Sequence, residues 1–268
     1  MISKVVKTCL RYPGGKFYGV KKIKQFYSIP HDEFREVFVG GASVFLNKPS
    51  ATKLNWINDV DSELINFYKV IQTDSSRLKL YKLLANEVAT KERHKQVIEF
   101  KAKNKIERAF KYFYLNRTSF SGIMNRPRWG YALGSSVVPE KWVQIIDPVG
   151  NKLKGIKITN LDYKEVVKAN TKNGEVLMYL DPPYFDASKG IYTFEFTYND
   201  HLELCKLLKK TKYKFILSYE NSSKIKDLYN WANIYEIEFR YYLSEARRQN
   251  GKELVITNFD RPQSKLFD

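Results

Sequence analysis

Asp181-Pro182-Pro183-Tyr184 directly follows an apolar run, residues 176–180, and could bind an amino group through hydrogen bonds. The run predicts a buried strand, and the prolines end it because proline has no N–H for a strand ladder. Ligands of open α/β sheets bind at the carboxyl ends of the strands. A carboxylate and a carbonyl there can accept both hydrogens of an exocyclic amino group, and the tyrosine ring can stack on the base that carries it. A strand end with a chance Asp-Pro turn is the plainer alternative.

A second candidate site, Phe38-Val39-Gly40-Gly41, joins the end of a predicted strand to a glycine turn before a helix. Glycines let the backbone approach a ligand, and the N-terminus of a helix favours a negative group. Asp59 ends the next predicted strand about 20 residues later, where a carboxylate would hold ribose hydroxyls. Two glycines can also serve turn geometry alone, and Asp59 can cap a helix.

Tyr12 and Lys16 flank a Pro-Gly-Gly turn near the N-terminus. The turn lacks the glycine-to-lysine spacing of a phosphate loop. Because the turn is rigid, it could present both side chains to a small molecule. A solvated turn before a helix is the alternative interpretation.

The cysteines and histidines indicate chemistry without a metal or a thiol nucleophile. The two cysteines, Cys9 and Cys205, offer no metal-binding spacing and no disulfide framework. Neither follows a proline, which argues against a thiolate that attacks a pyrimidine ring. His31, His94 and His201 lie far from every motif along the sequence, so we expect them to be structural or solvent-facing.

Composition indicates a globular protein with a polyanionic partner. The chain has 268 residues, of which 43% are hydrophobic, enough for one large α/β domain with a core. Its 46 Lys+Arg against 29 Asp+Glu give a formal net charge of +17, which favours nucleic acid, although a lysine-rich composition alone is the alternative. No apolar leader and no run of ~18 apolar residues is found, so we expect a cytoplasmic protein without a membrane segment.

Seven segments have the pattern of strands, and helical patterns lie between most of them. This alternation predicts a mostly parallel sheet that is covered by helices on both faces. The last two strands are joined by a loop with Gly251 and no helix, which predicts an antiparallel hairpin. The predicted strands are residues 36–39, 54–57, 156–159, 175–180, 214–218, 234–239 and 253–258.

The strand–helix alternation stops between residues 72 and 150. Residues 75–87 and 91–115 have helical patterns, and 117–134 have the composition of a loop. Residues 72–130 contain 14 basic residues against five acidic ones, a net charge of +9. We therefore predict a catalytic domain made of residues 1–71 and 151–268, with an inserted, mainly helical subdomain at 72–150 that meets the polyanion. Aromatic residues alternate with Asn, Arg and Ser over 112–122, as base stacking and base-edge contacts would need.

Taken together, these motifs resemble the Dam-like class (D12 class, alpha group) of DNA adenine-N6 methyltransferases. The turn at 12–16, the segment 38–41, Asn58-Asp59, residues 161–163 and the tetrapeptide at 181–184 occur in the order of that class. The resemblance implies a seven-stranded, mostly parallel Rossmann-like sheet that binds S-adenosylmethionine (SAM), without a metal, and an inserted target-recognition subdomain.

The resemblance also implies roles for individual residues. Catalysis is implied for Asp181, Pro182, Pro183 and Tyr184. Cofactor binding is implied for Tyr12, Lys16, Phe38, Val39, Gly40, Gly41, Asp59, Asp162, Tyr163 and Asp181. DNA binding is implied for Asn116, Arg117, Thr118, Ser119, Arg126 and Arg128.

The substrate implied by the resemblance is an adenine that is flipped out of double-stranded DNA. Phe120-Ser121-Gly122 and the residues after it, 123–130, depart from the pattern of GATC-type members, so the resemblance implies the chemistry but not which sequence is recognised. A cognate restriction endonuclease, encoded separately, is a candidate partner, and the host setting would be a bacterial nucleoid or a phage. The alternatives are a cytosine-N4 or RNA methyltransferase with the same tetrapeptide, and a non-catalytic nucleic-acid-binding protein.

Overall fold

A seven-stranded sheet forms the centre of the protein. The computed structural model describes residues 6–16, 19–185, 194, 196–244 and 247–262. The strands are β1 (Glu33–Glu36), β2 (Leu54–Asn58), β3 (Lys157–Thr159), β4 (Val176–Leu180), β5 (Lys214–Glu220), β6 (Asn233–Ser244) and β7 (Arg247–Thr257). Their order is β3-β2-β1-β4-β5-β7-β6, in which β7 is antiparallel to β5 and β6 and the other pairs are parallel. The predicted mostly parallel, Rossmann-like sheet and its antiparallel end are confirmed. The predicted loop at Gly251 is wrong, because Gly251 lies within β7 and pairs with Phe239, and the turn of the hairpin comes earlier, after β6 ends at Ser244.

Ten α-helices connect or cover these strands in the described part of the chain. They are α1 (Val20–Ile23), α2 (Ser43–Asn47), α3 (Ser62–Gln72), α4 (Asp74–Leu84), α5 (Lys91–Glu99), α6 (Lys105–Thr118), α7 (Trp142–Lys152), α8 (Tyr163–Lys168), α9 (Tyr198–Lys210) and α10 (Ser223–Leu228). Two clusters of buried apolar side chains lie among them. No helix of the described residues is long and apolar enough to cross a membrane.

Strand β1 begins earlier than its sequence suggested. The prediction was residues 36–39, whereas the strand covers Glu33–Glu36 and pairs with β2 and β4. The cause is a buried charge pair, because Nε of Arg35 lies 2.6 Å from Oε1 of Glu33 and the guanidinium also donates to two backbone carbonyls. Charged residues that are neutralised in this way fill strand positions that an apolar pattern does not reveal.

The order in which the strands are added to the sheet reverses between β1 and β4. From β1 the chain runs through α2 to β2 on one side, and β4 lies on the other side. The loops that leave the two strands therefore diverge and open a crevice at their carboxyl ends, which is where ligands bind in sheets of this kind. The predicted glycine turn and the tetrapeptide both lie at this crevice.

The segment between β2 and β3 is helical and packs on the sheet domain. The single helix predicted over 91–115 is two helices, because Asn104 caps the start of α6 by accepting hydrogen bonds from the amides of Ile106 and Glu107. The ring of Phe113 in α6 stacks on Phe67 in α3, with centroids 5.5 Å apart. The buried residues of this segment belong to the same apolar cluster as residues of the sheet.

The predicted boundaries of the inserted subdomain meet the helices in different ways. The first boundary, at residue 72, coincides with the end of α3. The second, at 150, falls inside α7. The division itself stays a prediction, and its far end would follow Lys152 because a helix is one folding element.

Candidate active site

A cleft with a volume of about 510 Å³ lies at the carboxyl ends of β1, β2 and β4. Its volume is in the range of small-molecule and cofactor sites. Every residue that was predicted to bind the cofactor or to act in catalysis lines this cleft, although the residues are spread from position 12 to position 184. The structure therefore brings the separate motifs together in one place.

The carboxylate of Asp181 forms a close ion pair at the bottom of the cleft. Nζ of Lys16 lies 2.8 Å from Oδ1 of Asp181, and the lysine side chain is almost fully buried. The same ammonium lies 4.7 Å from the centre of the Tyr184 ring and 3.9 Å from Oε2 of Glu253 in β7. The N-terminal turn thus contacts the tetrapeptide directly.

Burial and neighbouring charges have opposite effects on the pKa of Asp181. Burial raises its pKa to about 6, the ammonium of Lys16 lowers it, and the carboxylate of Glu253 raises it. Above this pH the group is an ionised hydrogen-bond acceptor. Perturbed carboxyl groups of this kind are common at functional sites.

The glycine turn that follows β1 leaves no room for side chains. A Cβ atom on Gly40 would lie 2.7 Å from the ring of Tyr12, and the residue has a φ of +44°. A Cβ atom on Gly41 would lie 3.0 Å from Cβ of Tyr12. The two glycines therefore allow Tyr12 to pack onto the turn, and the turn geometry alone does not explain both of them.

Asp59 holds the glycine turn from the end of β2. Its Oδ2 accepts a hydrogen bond of 2.9 Å from the amide of Gly40, and its Oδ1 accepts one of 3.0 Å from the amide of Asp61. Burial raises the pKa of Asp59 to about 6, and these hydrogen bonds lower it. The capping residue of α3 is Asp61, which accepts from the amides of Glu63 and Leu64, so Asp59 is not the cap.

Three aromatic rings form one wall of the cleft. The rings of Phe38 and Tyr163 stack with centroids 5.6 Å apart, and Phe196 meets them edge-on or tilted at 5.8 and 5.5 Å. Asp162 lies at the rim, where it caps α8. Sequence reasoning missed Phe196, although its position directly before the capping box of α9 was a usable signal.

Sequence reasoning also missed Glu36, the last residue of β1. Its side chain is buried in the cleft wall, and burial together with the charge of Asp181 raises its pKa well above the ordinary value. Within the described residues, Oε2 of Glu36 and Oγ of Ser43 are buried without a hydrogen-bond partner. An acid two residues before Phe38, within a run that is otherwise apolar up to the glycines, was the available signal.

Four of the predicted DNA contacts point into the protein instead. The prediction placed residues 117–119 in a loop, but α6 continues to Thr118 and Ser119 caps its end. The side chains of all four residues are buried: Asn116, Arg117, Thr118 and Ser119. Asn116 exchanges two hydrogen bonds of 2.8 Å with the backbone of Arg11, and Thr118 bonds to Nδ1 of His94 at 2.8 Å. These residues connect α6 to the N-terminal segment and to α5.

Directly after the buried Ser119, the chain becomes exposed at Phe120. Residues 119–130 form a loop that is closed by a bridge between Ser119 and Trp129. Arg126 and Arg128 are exposed, as expected, and so is the ring of Phe120, at 64% of its surface. Gly122 and Met124 of the same loop line the cleft, so the loop borders the site.

Comparisons with known proteins agree with this arrangement. Residues 12–243 match the model of the D12 class N6 adenine-specific DNA methyltransferases. Type II methyltransferase M1.LlaDCHI of Lactococcus lactis subsp. cremoris is 27% identical, over 93% of this chain and 94% of its own length. Type II methyltransferase M.CviBI of Paramecium bursaria Chlorella virus NC1A is 23% identical, over 95% and 100%.

A third relative, Type II methyltransferase M.MjaIII of Methanocaldococcus jannaschii, is 26% identical over 95% of this chain and 99% of its own length. The family match covers most of the chain, from before β1 into β6, including the segment between β2 and β3. It favours adenine over cytosine as the target, which the tetrapeptide alone left open. The chain belongs to the D12 class of N6 adenine-specific DNA methyltransferases.

Proposed function

We propose that this site-specific DNA adenine methyltransferase uses Asp181 and Pro182 to activate N6 of a flipped adenine. The observation that supports this role best is the position of Asp181, in the same cleft as the glycine turn and Asp59. A target base at the tetrapeptide and a cofactor at the glycine turn would then share one enclosed volume. Because both would be held in one cleft, the methyl group and the target nitrogen would not have to meet by diffusion.

The chemical task of the tetrapeptide follows from the substrate. The lone pair of adenine N6 is delocalised into the ring, which makes the nitrogen a poor nucleophile. The Asp181 carboxylate and the Pro182 carbonyl would accept hydrogen bonds from the two N6 hydrogens and hold the nitrogen in a geometry in which the lone pair faces the methyl group. The extra proton that N6 carries after methylation would then leave to solvent. The ring of Tyr184 would stack on the base. These groups act by orientation and electrostatics.

Residues of the cleft fit SAM. The close approach of Tyr12 to Gly40 and Gly41 leaves a backbone surface for the methionine end, and the buried oxygen of Glu36 can accept from its ammonium group. Asp59 lies where ribose hydroxyls would reach it. When bound, SAM supplies a methyl group on a sulfonium that leaves as a thioether, so the transfer itself requires no metal.

The cleft wall formed by Phe38, Tyr163 and Phe196 would hold the adenine ring of the cofactor. Aromatic and apolar surface is what a planar heterocycle needs. Asp162 at the rim would lie near the same ring. These three aromatic residues come from β1, α8 and the segment before α9, so the pocket exists only in the folded chain.

Double-stranded DNA would approach the rim that carries Phe120, Arg126 and Arg128. The two exposed guanidinium groups can contact phosphates, and an exposed ring beside the cleft can contact bases exposed by flipping. We no longer propose base contacts for residues 116–119, because their side chains are buried.

Because the three relatives above are named Type II methyltransferases, a separate endonuclease with the same recognition sequence is the partner we propose. Substrate and partner would place the protein in the cytoplasm, at the DNA. Sequencing of methylated positions in DNA from cells that express the chain would define the recognised sequence. Cells that express the chain together with the genes encoded beside it would show whether it protects DNA from such an enzyme.

Replacement of Asp181 tests the mechanism. In the Asp181→Asn variant, the side chain keeps its size but loses one acceptor and the charge, so tritiated methyl transfer from SAM to DNA should fall by about 10²- to 10³-fold. DNA affinity should stay close to that of the unchanged protein. The exposed Asp227→Asn variant serves as the control. Full turnover by the Asp181 variant would refute the assignment.

A further inference from the structure

We infer that His201 is a positioning residue for methyl transfer. Its ring keeps the cleft wall that would hold the cofactor and the tetrapeptide that would hold the base in a fixed position relative to each other. The inference rests on the proposed function of the tetrapeptide. His201 belongs to α9 and does not line the cleft. Its ring contacts Phe185 and Phe196, which adjoin the site, so His201 is a buried structural residue, as expected, that also supports the cleft.

The imidazole ring of His201 lies between two phenylalanines that flank the segment 186–195. Its centroid is 5.1 Å from that of Phe185, which directly follows Tyr184. It is 4.7 Å from that of Phe196, in an edge-on arrangement. The side chain of His201 is 98% buried, with only 2% of its surface exposed. One ring therefore supports the chain on both sides of this segment.

Each of these contacts continues into a different part of the site. On the cofactor side, Phe196 meets the ring of Phe38 edge-on at 5.8 Å. On the base side, the amide of Phe185 donates a hydrogen bond of 2.8 Å to Oε1 of Glu220 in β5. A shift of the His201 ring would therefore displace the cofactor wall and the end of the tetrapeptide together.

A hydrogen bond from β5 fixes the orientation of the His201 ring. Nδ1 lies 2.6 Å from the hydroxyl oxygen of Tyr219, whose side chain is fully buried. The ring of Tyr219 also lies 6.2 Å from that of Tyr184. Burial lowers the pKa of His201 to about 4, so the ring is neutral at physiological pH and can serve as an aromatic surface with one polar contact.

Three variants separate positioning from mere stability. His201→Leu removes the ring and the polar contact, whereas His201→Phe combined with Tyr219→Phe keeps a ring at position 201 and removes both groups of the hydrogen bond between the two residues. Leu208→Ala removes buried volume from the same helix, away from the cleft, and serves as the control. We would measure kcat and KM for SAM at saturating DNA, the Kd of SAM by calorimetry, and the midpoint temperature of unfolding.

We expect His201→Leu to raise KM for SAM and to lower kcat, with a combined loss in kcat/KM of about 10- to 100-fold. The double phenylalanine variant should stay within about threefold of the unchanged protein. Leu208→Ala should lower only the midpoint temperature. If the leucine variant does not fold, His201→Gln, which keeps a polar group without the ring, takes its place with the same expected loss.

Two results would overturn the inference. Unchanged kinetic constants in a folded His201→Leu or His201→Gln variant would show that the ring does not position the site. Equal losses in the double phenylalanine variant would show that ring contact is not what matters. Failure of the unchanged protein to bind SAM or to methylate DNA would instead contradict the proposed function of the tetrapeptide.

Discussion

Nζ of Lys16 lies 2.8 Å from Oδ1 of Asp181, so a residue of the N-terminal turn forms an ion pair with the proposed catalytic carboxylate. A lysine held this close lowers the pKa of a carboxyl group that burial would otherwise raise further. The pair therefore keeps Asp181 ionised down to a lower pH than burial alone would allow. It also couples the turn at 12–16 to the end of β4.

Activity should depend on pH through this pair. Because the pKa of Asp181 is raised to about 6, methyl transfer that needs the ionised form should decline as pH falls through that value. In Lys16→Met the pKa should rise, and the acid limb of kcat/KM should move to higher pH by ~1 unit or more. In Glu253→Gln the acid limb of kcat/KM should move to lower pH, because a negative charge beside Asp181 is lost.

The pH profile of methyl transfer, measured at constant ionic strength, checks both directions. Lys24→Met, on an exposed lysine, removes the same charge from the chain and should leave the profile in place. Parallel shifts in Lys16→Met and Glu253→Gln would contradict the proposed arrangement, since their charges have opposite signs.

The glycine turn should tolerate no side chain at position 40. Gly40→Ala combines a left-handed φ of +44° with contact against the Tyr12 ring, so we expect a loss of unfolding free energy of ~1–3 kcal/mol. The Kd of SAM should rise about tenfold, equivalent to ~1.4 kcal/mol. Gly155→Ala is the matched control, because that residue has a φ of +74° with open space around it.

Calorimetry of SAM binding and chemical unfolding measure these two effects. The control should lose stability from backbone strain but keep its affinity for SAM. A Tyr12→Ala background should reduce the effect of Gly40→Ala, since the clashing ring is absent. Equal affinity losses at positions 40 and 155 would argue that strain, rather than the Tyr12 contact, disturbs the site.

Asn116 should matter for stability and not for the recognised sequence. Its side chain exchanges two hydrogen bonds with the backbone of Arg11 and is fully buried. Asn116→Ala should therefore reduce the free energy of unfolding by about 1–3 kcal/mol. Sequencing of methylated DNA should show the same recognised positions. The exposed Asn86→Ala variant should change neither property.

DNA affinity should depend more on the loop at the cleft than on the lysines at the other end of α6. The helix has 14 residues and spans about 20 Å, so residues before Lys105 lie far from the loop at 119–130. Neutralising Arg126 and Arg128 together should weaken DNA binding evenly across sequences and reduce the salt slope by about two. Neutralising Lys101 and Lys103 removes the same charge and should change the slope less.

Binding titrations at several salt concentrations measure both slopes. Phe120→Ala, tested in the same series, should lower methylation more than DNA affinity, because an exposed ring beside the cleft would act once a base leaves the helix. Equal slopes for the arginine and lysine variants would move the DNA-binding surface away from the cleft.

The parallel sheet and most of the site could be predicted because their signals are local. An apolar run that ends in two prolines, or a strand that runs into glycines, identifies itself within a few residues. The start of β1 could not be predicted, since Glu33 and Arg35 are strand residues only because each neutralises the other in the core. Similarly, residues 116–119 have the composition of a contact surface, yet the packing of α6 buries them.

The sequence by itself determined the class of protein and the motifs of its cleft, because strand ends, tight turns and their order along the chain depend on near neighbours. Only the tertiary structure decided which side chains act together. Lys16, Asp181 and Glu253 come from three distant parts of the chain and meet in one cluster of charges. His201 reaches the site through Phe185 and Phe196 because α9 packs beside β5. Such relationships depend on burial and on contacts across the sheet, which no local pattern encodes.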